Sequence, residues 1–438
     1  MKRAVVLFTR DLRVHDHAAL SAAVEIASEI LPLFVLDDAL RDQHDSPVRQ
    51  AFLLDSLADL RQALHKRGGD LIIRRGDSVE QTLRLAHRAA ASVVFIGADA
   101  STYAQRRQER LGRACRAERI ELRVENTISA VPAGEPVPAG RDHYRVFTPY
   151  WRRWRDQPLP IPLDPPRRVS LPSGVTPGEL PSAPPPRRGG ECAARQRLDA
   201  WLRSGLHEYE TTRNELAREG TSRLSPYLHL GCISPAEAVT RARAQGAIAE
   251  PFVRQLCWRD FYLQLLTTNP HTATRDLHNR DREWIEDEDA LTAWAEGRTG
   301  YPIVDAAMRQ LRAEGWIHNR GRLLVASFLT KTLGIDWRPG ANVFLDLLID
   351  GDIANNAGNW QWAAGTGVDP RPNRTFNPIA QAKRLDPRGD YVRTHVPELG
   401  ELKGSTIHEP WRAPLAARAP DYPERIVPWP CLGGTGAC

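Results

Sequence analysis

Residues 350–362 read Asp-Gly-Asp-Ile-Ala-Asn-Asn-Ala-Gly-Asn-Trp-Gln-Trp, a run that sets acids and amides beside two tryptophans. With a helix beginning near Asp352, the residues Asp352, Asn356 and Trp360 share one face at i, i+4 and i+8. Trp362 then lies about 200° round from Trp360, so the two indoles serve different environments. Donors and acceptors beside an aromatic plate suit the edge of a polar, planar heterocycle such as a flavin ring. The plainer reading is a polar helix with two packing tryptophans. So many Asn and Gly weaken a helix, which favours a functional reason for keeping them.

Three further segments carry chemistry. Gly220-Thr221-Ser222-Arg223-Leu224-Ser225 gathers three hydroxyls and a guanidinium ahead of a helical stretch. That pattern suits a phosphate or pyrophosphate, or equally an ordinary N-cap. Gln255, Trp258 and Arg259 fall on one helix face at i, i+3 and i+4, and Trp316, Asn319, Arg320 and Leu323 repeat the arrangement. Aromatic plates interleaved with Arg and amides fit a base lifted from its stack with phosphates held nearby. Helix packing with surface arginines explains either segment taken singly. No G-x-S-x-G, H-E-x-x-H, P-loop or C-x-x-C pattern occurs, so neither a hydrolase triad nor a metal site is expected, and His318 reads as a structural histidine.

These segments must be positioned by a framework, and the pattern along the chain supplies one. Arg3–Phe8, Ile30–Asp37, Asp70–Arg74 and Ser92–Gly97 are short apolar runs of strand type. Ala18–Glu29, Val48–Arg67, Ser78–Ala91 and Thr102–Ala117 carry helical periodicity between them. A βαβα alternation predicts a doubly wound parallel sheet that binds ligands at the carboxyl ends of its strands. No G-x-G-x-x-G follows the first strand, so a dinucleotide site there is not expected. Eleven of the 34 prolines fall in residues 156–190, which reads as a long connector. Beyond it strand patterns are absent. Helices are expected over Ser234–Ala244, Glu250–Leu266, Tyr301–Glu314, His318–Thr332 and Val343–Ile349. The division is therefore 1–130 as an α/β domain, 131–190 as a Pro-rich linker and 191–438 as an all-α domain.

Bulk composition agrees with a folded protein of 438 residues: 42% hydrophobic, 26% charged, formal net charge +5. Six cysteines without close pairing imply no disulfide scaffold, and no apolar run reaches a membrane span. Arg10, Asp11 and Arg13 break the only signal-like start, so a cytoplasmic protein is expected. Twelve tryptophans are unusual; ten of them, from Trp201 to Trp429, follow the linker.

Taken together, these segments resemble the photolyase/cryptochrome family, and most closely its bacterial class I photolyases for cyclobutane pyrimidine dimers. The resemblance runs from Phe8-Thr9-Arg10-Asp11-Leu12-Arg13-Val14-His15-Asp16 to Ile407-His408-Glu409-Pro410-Trp411. Between these lie Gly220–Ser225, Cys257–Tyr262 (CWRDFY), Gly300–Gln310 (GYPIVDAAMRQ), Gly315–Arg320 (GWIHNR), Ala326–Leu329, Asp336-Trp337-Arg338 and the Asp350–Gly365 block. The resemblance implies an α/β antenna-binding domain, a long linker and a helical domain that binds FAD and DNA.

Position by position, it implies that Tyr209, Thr221, Ser222 and Ser225 contact the FAD phosphates and ribityl chain. Arg322 and Asp350 would form an ion pair at the flavin, with Asp352 alongside and Asn356 beside flavin N5. Trp360, Trp337 and Trp284 match the family's electron relay. Trp258 and Trp362 match the plates flanking the lesion, and Arg213, Arg259, Asn319, Arg320 and Arg374 match DNA contacts. The implied partner is UV-damaged DNA and the implied activity is light-driven repair, by electron transfer from reduced FAD to a flipped-out dimer, by a monomer.

Gln255 departs from the Glu usual in enzymes that repair cyclobutane dimers; Gln is common there in (6-4) photolyases and animal cryptochromes. Against the (6-4) alternative, Asn319 and Leu323 stand where those enzymes place a histidine pair. Against a cryptochrome-type photoreceptor, Trp258 and Trp362 both persist, and the chain ends only 27 residues after Trp411. For the antenna, Asp99-Ala100-Ser101-Thr102-Tyr103 resembles the branch that binds 8-hydroxy-5-deazaflavin, with Arg49 and Asp99 as polar contacts. Methenyltetrahydrofolate or an empty pocket are the alternatives.

Overall fold

The computed structural model describes residues 2–41, 46–181, 189–368, 371–414 and 419–428. Part of the predicted linker (182–188) and Trp429 lie outside the described residues. The chain forms two compact units. The first comprises Met1–Tyr209, Ser222–Pro270 and Asp352–Asn355; the second comprises Glu210–Thr221, His271–Gly351 and Asn356–Cys438.

Unit one is built on a five-stranded, all-parallel sheet of order β3-β2-β1-β4-β5. The strands are β1 (Arg3–Phe8), β2 (Glu29–Leu36), β3 (Ile72–Arg75), β4 (Val93–Gly97) and β5 (Glu121–Glu125). Helices α1 (Ala18–Ile26), α2 (Pro47–His65), α3 (Ser78–Arg88) and α4 (Thr102–Ala117) connect them. The expected doubly wound sheet is thus present. Its three central strands are near-continuous apolar runs because helices cover both faces. The helices start where side-chain oxygens satisfy their first backbone N–H groups: Ser46 for α2, Asp77 for α3 and Ser101 for α4.

Two elements of this unit escape the sequence pattern. The edge strand β5 reads Glu-Leu-Arg-Val-Glu and is half-exposed, so it carries polar alternation rather than an apolar run. Within the predicted linker, Phe147–Trp154 forms a two-turn helix that buries Phe147, Tyr150, Trp151 and Trp154. It packs near α5 (Glu250–Thr268), whose Asp260 accepts hydrogen bonds from Trp154 Nε1 at 3.0 Å and from the backbone N–H groups of Ala130 and Val131.

Unit two is helical, with no strand among its described residues. Its main helices are α6 (Pro302–Glu314), α7 (Asn319–Ser327), α8 (Trp337–Leu347) and α9 (Ile353–Ala364). The last runs on from unit one, to which Asp352–Asn355 belong. The stretch expected as one helix, His318–Thr332, is α7 continued by a wider π turn over Phe328–Thr332. Ile303, Val304, Leu311, Phe328, Leu329, Phe344 and Trp360 form a shared core. Gly340 on α8 permits its closest approach: a Cβ there would fall 2.4 Å from Trp360 Cη2. Among the described residues no helix is long and apolar enough to cross a membrane.

Candidate cofactor and electron-transfer site

In unit two the acid–amide–tryptophan segment forms ordered polar groups over an aromatic core. Arg322, on α7, donates from Nη2 to both oxygens of buried Asp350 at 3.0 and 2.7 Å. Its Nε donates to Ile317 O at 3.1 Å, which fixes the guanidinium. Asn356, on α9, donates from Nδ2 to Ala341 O at 2.9 Å. The tether sets the amide's orientation and leaves Oδ1 as its acceptor.

Trp360 is 2% exposed and meets Trp294 and Phe344 edge-on at 5.8 and 5.1 Å. Trp362 is half-buried and lies near Phe376, so the two indoles do occupy different environments. Trp337 is fully buried at the start of α8, one turn before Gly340 and hence before the Trp360 contact. Trp284 is half-buried under the Arg282 guanidinium, 4.6 Å from the ring centroid. Its neighbour Ile285 donates its backbone N–H to Gly334 O, three residues before Trp337. Exposure therefore rises from Trp360 and Trp337 to Trp284.

Asn319 is exposed at the start of α7, where Arg320 N donates to His318 Nδ1 at 3.0 Å. His318 thus has the structural role expected of it. Arg320 Nε donates to Asn214 Oδ1 at 2.7 Å. Arg213 is half-buried and Arg374 is exposed.

In unit one, Tyr209 is buried and meets Trp201 edge-on at 5.3 Å. Within the hydroxyl cluster, Arg223 has a positive φ of 49° and is followed by Leu224 in the right-handed region. Opposite-handed neighbours of this kind turn successive N–H groups to one side, the geometry of an anion nest. Half-buried Ser222 lies just before this turn, and Ser225 opens the next helix; Thr221, assigned to unit two, is also half-buried.

On α5, Trp258 stacks on Phe147 at 3.6 Å with an interplanar angle of 5° and meets Phe261 edge-on. The plate is rigidly backed. Gln255, one turn before it, is exposed. Arg259 is held at both ends of its guanidinium. Its guanidinium donates to the carbonyls of Ile128 and Leu228, and burial, against the pull of Asp352 and Asp260, holds its pKa below the ordinary value. With both terminal nitrogens on backbone carbonyls, this guanidinium braces the unit.

Of the two residues expected as antenna contacts, Asp99 lies where strand order reverses. β1 and β4 are adjacent in the sheet though not in sequence, and such points open a crevice at the strands' carboxyl ends. Arg10 follows β1 and Asp99 follows β4, with Nε and Oδ2 3.7 Å apart. Arg49 is half-buried in the first turn of α2. Arg10 Nη2 also donates to Asp352 Oδ2 at 2.7 Å, while Asp352 Oδ1 accepts from the backbone and side chain of Asn355. Burial opposes ionisation of Asp352, but the charges of Arg10 and Arg259 outweigh it and hold the carboxyl far below its usual range. Burial and the charge of Arg10 keep His229 neutral, and its Nδ1 has no hydrogen-bond partner. Tyr103 and Ser78 both donate to Asp37 at the end of β2.

Some residues that organise these groups carry no sequence signal for that role. Gln361 holds loop 272–277 and Asp276 accepts from the Trp337 indole, each across more than 60 residues of sequence. Arg10 lies in the quoted Phe8–Asp16 segment, but its partner Asp352 is 342 residues away.

The chemistry of the donor set fits FAD. Hydroxyls and an anion nest suit the pyrophosphate, the Asp350–Arg322 pair offers an acceptor and a donor to a ring edge, and the tethered amide of Asn356 offers an acceptor.

Comparison with known proteins agrees with this geometry. A family model described as DNA photolyase matches residues 4–168, and one described as the FAD binding domain of DNA photolyase matches residues 252–430. A deoxyribodipyrimidine photo-lyase of Streptomyces griseus is 50% identical, covering 98% of this chain and 96% of its own. A bacterial class III photolyase from Agrobacterium tumefaciens superposes with a TM-score of 0.91 at 33% identity, covering 98% and 95% of the two chains. A Synechocystis cryptochrome reaches the same TM-score at 29% identity, covering 98% and 97%.

Proposed function

The chain belongs to the DNA photolyase/cryptochrome family, and on that premise we propose that it repairs cyclobutane pyrimidine dimers in DNA, driven by light. The observation that carries the choice of repair over signalling is the lesion-facing helix α5. There Trp258 is braced flat against Phe147, and the exposed amide of Gln255 stands one turn away. A rigid aromatic plate beside an exposed hydrogen-bonding group suits a flipped base, and a damaged pair is the cheapest base to flip.

Bound and reduced, FAD supplies the photoexcited electron that splits the dimer and takes it back. The protein's residues hold and orient. Tyr209, Thr221, Ser222 and Ser225 bind the phosphates and ribityl chain; Arg322 and Asp350 fix the ring edge; Asp352, already paired with Arg10, supports the start of α9. Asn356, tethered through Nδ2, would offer Oδ1 to a ring N–H and so favour the reduced cofactor. Trp258 and Trp362 flank the lesion, and Gln255 hydrogen-bonds its carbonyl edge. Arg213, Asn319, Arg320 and Arg374 provide the salt-sensitive grip on the DNA backbone. Trp360, Trp337 and Trp284 carry electrons from the surface inward. Asp99 and Arg49 hold an 8-hydroxy-5-deazaflavin antenna at the strand-order reversal, and the protein acts as a monomer.

The test is illumination of the purified, reduced protein with a thymine-dimer oligonucleotide, beside a (6-4) substrate. Loss of cyclobutane dimers under blue light is expected. Loss of the (6-4) lesion alone, or of neither, would overturn the proposal. A strong blue band besides the flavin bands in the isolated protein is expected from the antenna.

A further inference from the structure

The short helix Phe147–Trp154 is fastened to α5 at both of its ends. Just ahead of it, Tyr144 O accepts from Gln264 Nε2 at 2.7 Å, and Tyr144 N donates to Gln264 Oε1 at 3.1 Å. At its far end Trp154 donates from Nε1 to Asp260 Oδ2 at 3.0 Å. Between these anchors the Arg254 guanidinium lies over the rings of Phe147 and Trp151, 5.4 and 5.9 Å from their centroids. Arg254 and Trp258 stand at i and i+4 on α5 and so share one face of it. Phe147 meets both.

The Phe147–Trp258 stack is nearly a full sandwich. Centroids 3.6 Å apart at an angle of 5° leave almost no lateral offset between the rings. Aromatic pairs ordinarily sit offset or edge-to-face, because a sandwich sets two electron-rich faces against each other. Trp258 follows that rule with Phe261, which it meets at 90°. A cation within about 6 Å of a ring centroid draws on the ring's π electrons. Arg254 does so at Phe147 and relieves the repulsion between the two stacked faces.

We propose that Phe147 and Arg254 are positioning residues for recognition of the damaged base. The guanidinium polarises the Phe147 ring, and that ring fixes the Trp258 indole on which the base stacks. The inference rests on the repair reading given above. Trp258 is only half-buried, and an unbacked indole at such a position samples other rotamers. Ordering it would then oppose lesion binding. With Phe147 in place the indole is ordered before DNA arrives. Intact DNA is held through its phosphates and does not use the plate. The brace therefore acts on discrimination between damaged and intact DNA.

Binding of FAD-loaded protein to a thymine-dimer oligonucleotide and to its undamaged counterpart, measured in the dark so that no repair intervenes, tests this. Phe147→Leu keeps apolar bulk and removes the ring; it is expected to weaken dimer binding about fivefold and leave undamaged binding unchanged. Arg254→Met removes the charge and keeps the packing, and is expected to act in the same direction on the dimer alone. In a Trp258→Ala background, Phe147→Leu is expected to have no further effect, a non-additivity that general loosening of the fold would not produce. Trp154→Phe loosens the same helix at its other end and is expected to lower stability in denaturation while dimer binding holds. If Trp258→Ala leaves dimer binding intact, the repair reading of α5 itself fails. If Trp258→Ala weakens it but Phe147→Leu does not, or the two losses simply add, only the assignment of Phe147 falls. An equal loss in Trp154→Phe would overturn the role of the ring, and equal losses on both DNAs in Arg254→Met would overturn that of Arg254.

Discussion

Arg10 Nη2 and Asp352 Oδ2 lie 2.7 Å apart, joining the residue pair after β1 to the residue before α9 across 342 positions of sequence. Their side chains are 18% and 7% exposed, so the pair is largely shielded from water. Removing one partner of such a pair strands the other, at a cost of about 3–5 kcal/mol. Asp352→Asn and Arg10→Met are each expected to lower stability by about that much in chemical denaturation, and the double variant is expected to lose less than the sum. The depressed carboxyl pKa of Asp352 gives the pair a defined pH window. Its contribution is complete above the unfolded value of about 3.9 and is lost only as pH falls towards the folded value. The Asp352→Asn penalty is therefore expected to shrink in strong acid, not near neutrality.

Asp260 has the opposite sign. Burial, against the pull of Arg259 and three N–H donors, raises its pKa to about 6. The folded protein then holds a proton between roughly pH 4 and 6 that the unfolded chain has released, so stability falls as pH rises through that range. The fall is at most about 3 kcal/mol for a shift of this size. Stability measured from pH 4 to 7 is expected to have a shallower slope in Asp260→Asn than in the parent.

Gln255→Glu is expected to raise the quantum yield of dimer splitting, because a carboxyl can hydrogen-bond the lesion's carbonyl edge and steady the radical anion. Position 255 is exposed, so stability is expected to stay within about 0.5 kcal/mol. Yield and melting temperature measured together separate the two effects; a lower yield at unchanged stability contradicts the proposed role.

Trp360→Phe is expected to block photoreduction of oxidised FAD while prereduced protein still repairs. Gly340→Ala examines the same contact by packing alone. Its Cβ would approach Trp360 Cη2 to 2.4 Å and Leu329 Cδ2 to 2.5 Å, and overpacking of this kind costs about 1–3 kcal/mol. A loss of that size in thermal or chemical denaturation is expected.

What the sequence makes legible depends on how local the cause is. β1, β2 and β4 are buried on both faces and stand out as apolar runs, whereas β5 is half in solvent and shows only Leu122 and Val124. Phe147, Tyr150, Trp151 and Trp154 do recur at helical spacing, but over two turns beside a proline-rich stretch, too short for periodicity to speak. The chemistry-bearing residues of α9 are visible because acids, amides and indoles crowd one segment. Asp276 and Gln361 are not, since their importance lies in partners 61 to 89 residues away. Arg259 makes a related point: a spacing that puts an arginine on one helix face cannot tell an open guanidinium from one held by backbone carbonyls.

The stacking of Phe147 on Trp258 bears on how chimaeras of this chain can be cut. Phe147 comes from the stretch assigned to the 131–190 linker, yet it backs the aromatic plate on α5 face to face. Exchanging the N-terminal part for that of a relative with a seam after Trp154 would import a foreign aromatic brace and change the pitch of the plate. A seam at residue 131 keeps brace and plate from the same parent, together with the Trp154–Asp260 bond. Swaps meant to alter only light harvesting can thus be told apart from swaps that also retune lesion preference by which side of the 147–154 helix they cross.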